Sequence, residues 1–376
     1  MGPPPPSPSQ LLYVQVEPRY SIYVDSETTG TFIVDAALSR IHGDPYYNST
    51  EVAGSSEVNP FENLYFTIAI ESNDNVLVSN SVVINTTDNL FDFDISQLTA
   101  RMEAYDIVLY GASEDGNQTY TATTELFYLP DKTDGSVTKI DNLYGGMLFK
   151  NNATDYQFEP LLAFGFYTGY GGYLEVSLDN MLSYYDMGFN TIHPIPTFSP
   201  NLSIIFDYAD QLNLLWQYDM RNTYQNLTSV EEQVLMVMNR SSLFAYYTAD
   251  EPDGWEYALN STSLAYETIT AIDKYHPIGL ALNCDNFYFG AYSAGADFLM
   301  EDAYPIGINA TWSVVWDTPC NDTYGDCGCD DCVGDLQDVS NRLDAFVQYQ
   351  EWLGQSPKPL WAYEMLRISL YSLPIF

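Results

Sequence analysis

Leu161-Leu162-Ala163-Phe164-Gly165-Phe166-Tyr167 is an apolar run short enough to be a buried strand, and the segments after it decide the fold. An amphipathic segment, 174–187, ends at Gly188, the residue that most readily closes a helix in the left-handed conformation. Thr191-Ile192-His193-Pro194 then opens a second strand. The rhythm repeats as helix 204–212, strand 214–218, helix 230–239, strand 243–248, helix 263–275, strand 278–283, strand 298–300, helix 338–353 and strand 359–362. Thr228 or Ser229 with Glu231 or Glu232 forms a capping pattern for the helix at 230. No glycine-rich phosphate loop succeeds the first strand, so seven parallel-type strands with intervening helices predict a (β/α)8 TIM-type barrel over 161–376. Residues 363–376 are too few for a further helix and strand, so the barrel is expected to lack its last unit, as in a truncated or misassembled version of a longer protein.

Towards the N-terminus the period changes. Residues 1–10 are a proline-rich leader. From 11 to 130, short strands of period two alternate with turn-rich segments at 12–16, 20–24, 31–34, 64–70, 76–78, 81–84, 106–110 and 124–128. That spacing predicts an all-β sandwich of immunoglobulin-like size, without a disulfide of the antibody kind because no Cys lies in this half. Residues 131–160, rich in Gly, Asp and Asn, read as a linker or hairpin between the two domains.

Twelve Lys+Arg against 51 Asp+Glu give a net charge of −39, which repels nucleic acid and anionic membranes and leaves neutral or cationic ligands. Thirty-two Tyr, 19 Phe and 6 Trp fill cores and strands, and those at a rim can stack on sugar rings. Asn-x-Ser/Thr acceptors stand at Asn48, Asn85, Asn117, Asn152, Asn201, Asn226, Asn239, Asn260, Asn309 and Asn321. This excess over chance predicts a glycosylated, secreted protein, although residues 1–10 lack the pattern of a signal peptide. No run approaches the length of a membrane span. In an oxidising compartment Cys320, Cys327, Cys329 and Cys332 are expected to form two disulfides, for which three pairings are possible. Asp322, Asp326, Asp330, Asp331 and Asp335 meet no calcium-loop spacing, and no metal is assigned. Cys284 reads as a buried free thiol.

Chemistry in such a barrel gathers at the C-terminal ends of the strands. There the sequence places Tyr167, His193, Trp216, Tyr218, Asp219, Tyr247, Asp250, Glu251, Asn283, Asp285, Glu301, Asp302, Tyr304, Trp361 and Glu364. No nucleophilic Ser/His/Asp order, metal-binding His-x-x-x-His or phosphate loop is present, so acyl and phosphoryl transfer lack their parts and no cofactor is called for. Glycoside cleavage needs only two carboxyl groups across a sugar-binding slot. Adjacent acids at Asp250-Glu251-Pro252, delivered by the run Tyr246-Tyr247-Thr248-Ala249, suit it, since crowding and burial push carboxyl pKa values apart. Tyr167, His193, Trp216, Tyr218, Tyr247, Asn283, Asp285, Asp302 and Tyr304 are the candidate substrate contacts, with core packing the competing role for the aromatics.

With Asp250-Glu251-Pro252 ending the fourth strand, the barrel rhythm and the preceding sandwich, the chain resembles the (β/α)8 glycoside hydrolase superfamily, and more narrowly secreted fungal proteins with a glycoside hydrolase catalytic core. The resemblance covers most of 160–362. It implies a secreted, retaining glycosidase in which Glu251 is the acid/base and Glu364, ending the seventh strand, the nucleophile. Asp250 stands where the superfamily's large retaining clan has Asn. A second assignment makes Asp250 or Glu251 the nucleophile and Glu301 or Asp302 the acid. The alternatives are a non-catalytic carbohydrate-binding or cell-surface protein on a degenerate barrel, and an adhesion protein led by the β-sandwich.

Overall fold

The computed structural model describes residues 2–46, 61–195, 202–303 and, within 305–362, all but 306–308, 315, 322–323, 326–328 and 355. The N-terminal part contains β1 (Leu11–Pro18), β2 (Thr29–Ser39), β3 (Asn63–Ile70), β4 (Asn75–Val83), β5 (Thr86–Asp94), β6 (Tyr105–Ala112) and β7 (Thr119–Leu126). β1, β2 and β5 form one antiparallel sheet with the short strand Asp44–Pro45 at its edge, and β4-β3-β6-β7 form a second. Period-two alternation sends Leu12, Val14, Val16, Phe32 and Val34 of the first sheet, and Leu64, Phe66, Ile68, Ile107 and Leu109 of the second, into one shared core.

Several boundaries differ from the sequence reading. The expected strands 76–78 and 81–84 are one strand, β4, because Ser79, Asn80 and Ser81 keep their ladder positions opposite β3. The polarity of β5, with its acidic outward residues, hides it from a hydrophobic pattern. Of 20–24, Tyr23–Val24 forms a short strand paired in parallel with Tyr128–Leu129, and Tyr20 makes an isolated antiparallel bridge with Asp141.

The expected linker is a small antiparallel sheet of β8 (Val137–Asp141), β9 (Gly146–Lys150) and β10 (Glu159–Leu161). The apolar run places the start of the first barrel strand at Leu161, but that residue pairs with Met147 in this sheet. The first parallel strand is β11 (Tyr167–Gly169), followed by β12 (Thr191–Ile195), β13 (Leu215–Asp219), β14 (Leu243–Asp250), β15 (Ile278–Leu282), β16 (Phe298–Glu301) and β17 (Leu360–Ala362). These seven strands lie in chain order in one parallel sheet. Between them run α1 (Leu178–Asp186), α2 (Leu202–Leu212), α3 (Leu227–Val237), α4 (Ser261–Ile272), α5 (Phe289–Ser293) and α6 (Gln337–Leu353). The cap of α3 is Asn226, whose side chain accepts from the Ser229 N–H, so the helix starts before the Thr228/Ser229 cap expected from sequence.

Strand alternation splits the barrel side chains into two cores. Trp216, Tyr218, Tyr246, Leu280, Leu282 and Leu299 face the helices. Leu215, Tyr247, Ala281, Phe298 and Met300 face the concave side, where Ile140, Met147 and Phe149 of the β8–β10 sheet pack against them. The sheet thus curls into a half-barrel floored by the small sheet. Among the described residues its edge strands β11 and β17 are not paired with each other. A cavity of about 570 Å³ lies beside those edges, lined from both by Phe166, Tyr167, Trp361 and Ala362. Gly165 is required there, since a Cβ would sit 1.9 Å from the Thr191 carbonyl oxygen.

Candidate functional site

The C-terminal ends of β11–β14 hold one continuous polar cluster on the concave face. His193 in β12 is buried, and its Nε2 lies 2.8 Å from Asp219 Oδ2 at the end of β13. Two residues on, Arg221 turns back. Its backbone N–H donates to Asp219 Oδ1 at 2.8 Å, its Nε to Asp219 Oδ2 at 2.6 Å, and its Nη1 to Asp250 Oδ2 at 2.6 Å. The other Asp250 oxygen, Oδ1, accepts from Tyr247 at 2.6 Å and from Tyr167 at 3.1 Å. The guanidinium lies 4.7 Å from the Tyr167 ring centre and 5.2 Å from that of Tyr247, within cation–π range. The His193 ring packs against both tyrosines.

The electrostatics result from this packing. Burial raises the Asp250 carboxyl above its ordinary range, against the pull of Arg221 and the Tyr247 hydroxyl. Burial acts the same way on Asp219, but the His193 hydrogen bond and the Arg221 charge outweigh it and hold that carboxyl low. Burial lowers His193 despite Asp219, so its neutral form is favoured. The cluster therefore holds two carboxylates in different environments, one fixed as an anion and one poised nearer to protonation.

Glu251 sits at the tip of β14 in the left-handed region, at φ 51°, where its N–H donates to the Ala281 carbonyl and its own carbonyl accepts from Trp255. Such a conformation is uncommon for a non-glycine residue, and here Glu256 in the same loop shares it. Asp253, two residues on, is buried and accepts from the N–H groups of Gly254 and Cys284, each at 3.0 Å, and of Asn283 at 3.3 Å. Burial nevertheless pushes its carboxyl up to about 7. This residue locks the loop after β14 to the loop after β15.

On the far side, Leu299 faces the helices and Met300 the concave side, so alternation turns Asp302 inward and Glu301 outward. Glu301 is buried and accepts from the Ala303 N–H at 2.9 Å. Asn283 is fully buried, with its carbonyl held by Arg342 of α6 at 2.6 Å. Asp285 accepts from Tyr349 of α6 at 3.1 Å. Tyr304 and Glu364 lie outside the described residues. The structure therefore brings Tyr167, His193, Tyr247 and Asp250 together as hydrogen-bonded or ring-packed neighbours. Asn283 and Asp285 are instead tied to α6.

Trp216 and Tyr218 stand apart from this cluster. Both are fully buried on the helix side, Trp216 against Phe206 and Tyr218 donating to Gln233 of α3 at 3.1 Å, so neither can meet a ligand in the cleft. Among the described residues, exposed aromatics at this end include Trp255 and Tyr257 after β14, Phe287 and Tyr288 after β15, and Trp312, Trp316 and Tyr324 after β16. Sequence reasoning also passed over Arg221. Its signal was its rarity, one of twelve Lys+Arg, two residues beyond a strand-end acid.

A Ser–His–Asp line exists elsewhere: Ser136 Oγ is 3.0 Å from His276 Nε2, and His276 Nδ1 is 2.7 Å from Asp273 Oδ2. Ser136 is buried, and its hydroxyl also lies 2.6 Å from the Leu243 carbonyl and 2.8 Å from that of Arg240. It joins the segment before β8 to the N-terminal end of β14, away from the strand-end cluster.

Cys320 and Cys329 form a disulfide. Cys332 is buried with its sulfur 4.0 Å from Arg342 Nη2, and Cys327 lies outside the described residues. Cys284 is a buried free thiol. The acceptors Asn85, Asn117, Asn152, Asn226, Asn239, Asn260 and Asn309 are exposed or half-buried and Asn321 is half-buried, while Asn48 and Asn201 lie outside the described residues. No helix among the described residues is long and apolar enough to cross a membrane.

No protein-family model matches the chain, and no curated protein matches it. Among solved structures it is similar to a GH2 β-galacturonidase from Eisenbergiella tayi bound to galacturonate, with 15% identity, a TM-score of 0.40, and coverage of 94% of this chain and 56% of that one. A β-glucuronidase from Ruminococcus gnavus in complex with D-glucuronic acid gives 11%, 0.39, 94% and 53%. The β-glucuronidase of Parabacteroides merdae gives 12%, 0.34, 80% and 35%. The chain thus spans about a third to just over half the length of these proteins, and likeness at this level identifies neither family nor activity.

Proposed function

We propose that the strand-end cluster is the working part of an O-glycoside hydrolase, with Glu251 as general acid/base. The observation that carries the reading is the single hydrogen-bonded assembly Tyr167, His193, Asp219, Arg221, Tyr247 and Asp250 at the ends of four consecutive parallel strands. In it Asp250 is a fixed acceptor: both of its oxygens already receive donors, so it positions its neighbour rather than attacks. Glu251, raised on a left-handed turn beside the exposed Trp255, is the carboxyl that addresses a sugar oxygen at the rim. On this reading Asp302 is the partner from the sixth strand, with Glu301 and Glu364 the other candidates. Loop aromatics supply stacking surfaces, and no cofactor takes part. The chain divides into an immunoglobulin-like β-sandwich over 11–130, a connecting sheet that runs on through Leu161 and the barrel-type part that follows it, in a secreted glycoprotein.

A second reading, carbohydrate binding without cleavage, draws on the same saturation of Asp250 by Tyr167, Tyr247 and Arg221. Glu251→Gln separates the two in assays on chromogenic glycosides and wall polysaccharides. The substitution keeps shape and removes the proton, so hydrolysis should disappear while binding persists. Hydrolysis at the wild-type rate in the variant refutes the role of Glu251, and binding without hydrolysis by the wild type selects the second reading.

A further inference from the structure

The sheet β4-β3-β6-β7 has an outer face turned away from the shared core. Its register sets two rows of side chains side by side: Ser79, Thr67, Tyr110 and Thr121 in one, and Ser81, Tyr65, Ala112 and Thr119 in the other. Tyr65 and Tyr110 are 47% and 49% exposed on a sheet whose opposite face is core. They occupy diagonal positions on adjacent strands, with Cα atoms about 7–8 Å apart, so one extended ligand can lie across both rings. Five hydroxyl side chains from Ser and Thr surround them, and the rows contain no charged residue in a chain of net charge −39.

Two rows beyond Tyr110 the same face carries Asp106 opposite Glu125, so the neutrality is local to the two tyrosine rows, and the partner sheet carries charge as well. Its outer positions include Gln15 opposite Asp35, and Glu17 and Asp92 further along. That face is also engaged: the Tyr13 hydroxyl donates to the Gly354 carbonyl at 2.5 Å, and His42 Nε2 lies 2.9 Å from the Glu351 carbonyl, both at the end of α6. That face docks on the barrel side at these contacts, whereas Tyr65 and Tyr110 stand two rows or more from Glu125, which with Tyr266 and Thr270 of α4 borders a cavity.

We propose that the outer face of β4-β3-β6-β7 is a binding platform for neutral polysaccharide, distinct from the strand-end cluster and independent of whether that cluster is catalytic. Rings with polar tips offer apolar faces to the C–H faces of pyranose units, while the flanking hydroxyls exchange hydrogen bonds with sugar hydroxyls. A neutral polyol avoids the repulsion that the protein's field imposes on any anionic chain.

Native affinity electrophoresis of the full chain in gels containing xylan, β-1,3-glucan or galactomannan, with polygalacturonate as the anionic comparison, tests this. The wild type should be retarded by at least one neutral polymer and not by polygalacturonate. Tyr65→Ala/Tyr110→Ala should weaken that retardation at least tenfold with an unchanged melting temperature. Thr121→Glu, which keeps both rings and adds a charge to the row, should weaken it as well. Mobility of the wild type unaffected by every neutral polymer, as expected if the face recruits a protein, overturns the proposal. So does retardation that survives both variants. The Glu251→Gln assay reports on the cluster separately, so the two readings fail independently.

Discussion

Replacing Arg221 by Met keeps the apolar volume between Tyr167 and Tyr247 and removes the charge that bridges Asp219 and Asp250. The Asp219 side chain is 1% exposed and that of Arg221 13%, so the pair is largely out of water. Breaking a buried pair on one side costs about 3–5 kcal/mol, because the remaining ion is left uncompensated. The lower end applies here, about 3 kcal/mol. Asp219 keeps His193, and Asp250, 23% exposed, keeps two tyrosine hydroxyls. Urea unfolding at pH 7 should show a lower midpoint at constant slope. The loss should also shrink at pH 5. In the wild type the folded Asp219 carboxyl is held low, so its stabilisation is present at neutral pH and disappears only as pH falls through that low value. Without Arg221, burial dominates and both carboxyls rise, so acid relieves the variant by protonating them. A loss below about 0.5 kcal/mol, or the same loss at both pH values, refutes the view of Arg221 as a buried bridge.

Asp253 makes the opposite pH prediction. Its carboxyl stands at about 7 in the folded chain, so its stabilising contribution is complete below the unfolded value and is lost as pH rises through 7, a change on the order of 4 kcal/mol. Asp253→Asn should flatten the fall in stability between pH 5 and 8, and an unchanged pH profile counts against the assignment. The two tryptophans should part company: Trp216→Ala, emptying a fully buried site, costs about 3–5 kcal/mol. Trp255→Ala, at 55% exposure, should change unfolding by less than about 0.5 kcal/mol while weakening the proposed sugar binding, which isothermal titration measures.

The strand–helix rhythm after residue 190 was legible because buried parallel strands are short apolar runs and their helices are amphipathic. The junction at 161 was not. Leu161 belongs to the small sheet and Tyr167 to the barrel, and composition cannot tell two consecutive extended segments apart when their partners lie elsewhere in the chain. Facing is a similar case. Tyr246 and Tyr247 are adjacent and equally buried, yet one donates to Asp273 on the helix side and the other to Asp250 in the cluster. Period two predicts that they diverge but not which goes where, and the irregular register between Tyr247 and Asp250 shifts the phase before the acids are reached. That shift turns Asp250 inward and leaves Glu251 at the tip.

The scarcity of cations explains why Arg221 matters more than its sequence context implied. In so acidic a chain each buried cation joins elements that would otherwise repel or leave carbonyls unpaired. Lys139 reaches Glu27 and Arg19 reaches Asp141, tying the small sheet to the N-terminal part. Lys358 donates to the carbonyls of Ser293, the last residue of α5, and Ala296 beyond it, and Arg342 to those of Asn283 and Asp330. These ties hold loops and sheets in place. Arg221 has the same bridging geometry, but the groups it joins are two carboxylates on the concave strand ends, beside aromatic rings and the left-handed turn of Glu251. Arg240 also spans two carboxylates, Asp207 and Asp210, but both belong to α2. A guanidinium that instead sets two carboxylates to different protonation tendencies, at the end of the sheet where parallel strands open, performs an organising role that packing alone does not require.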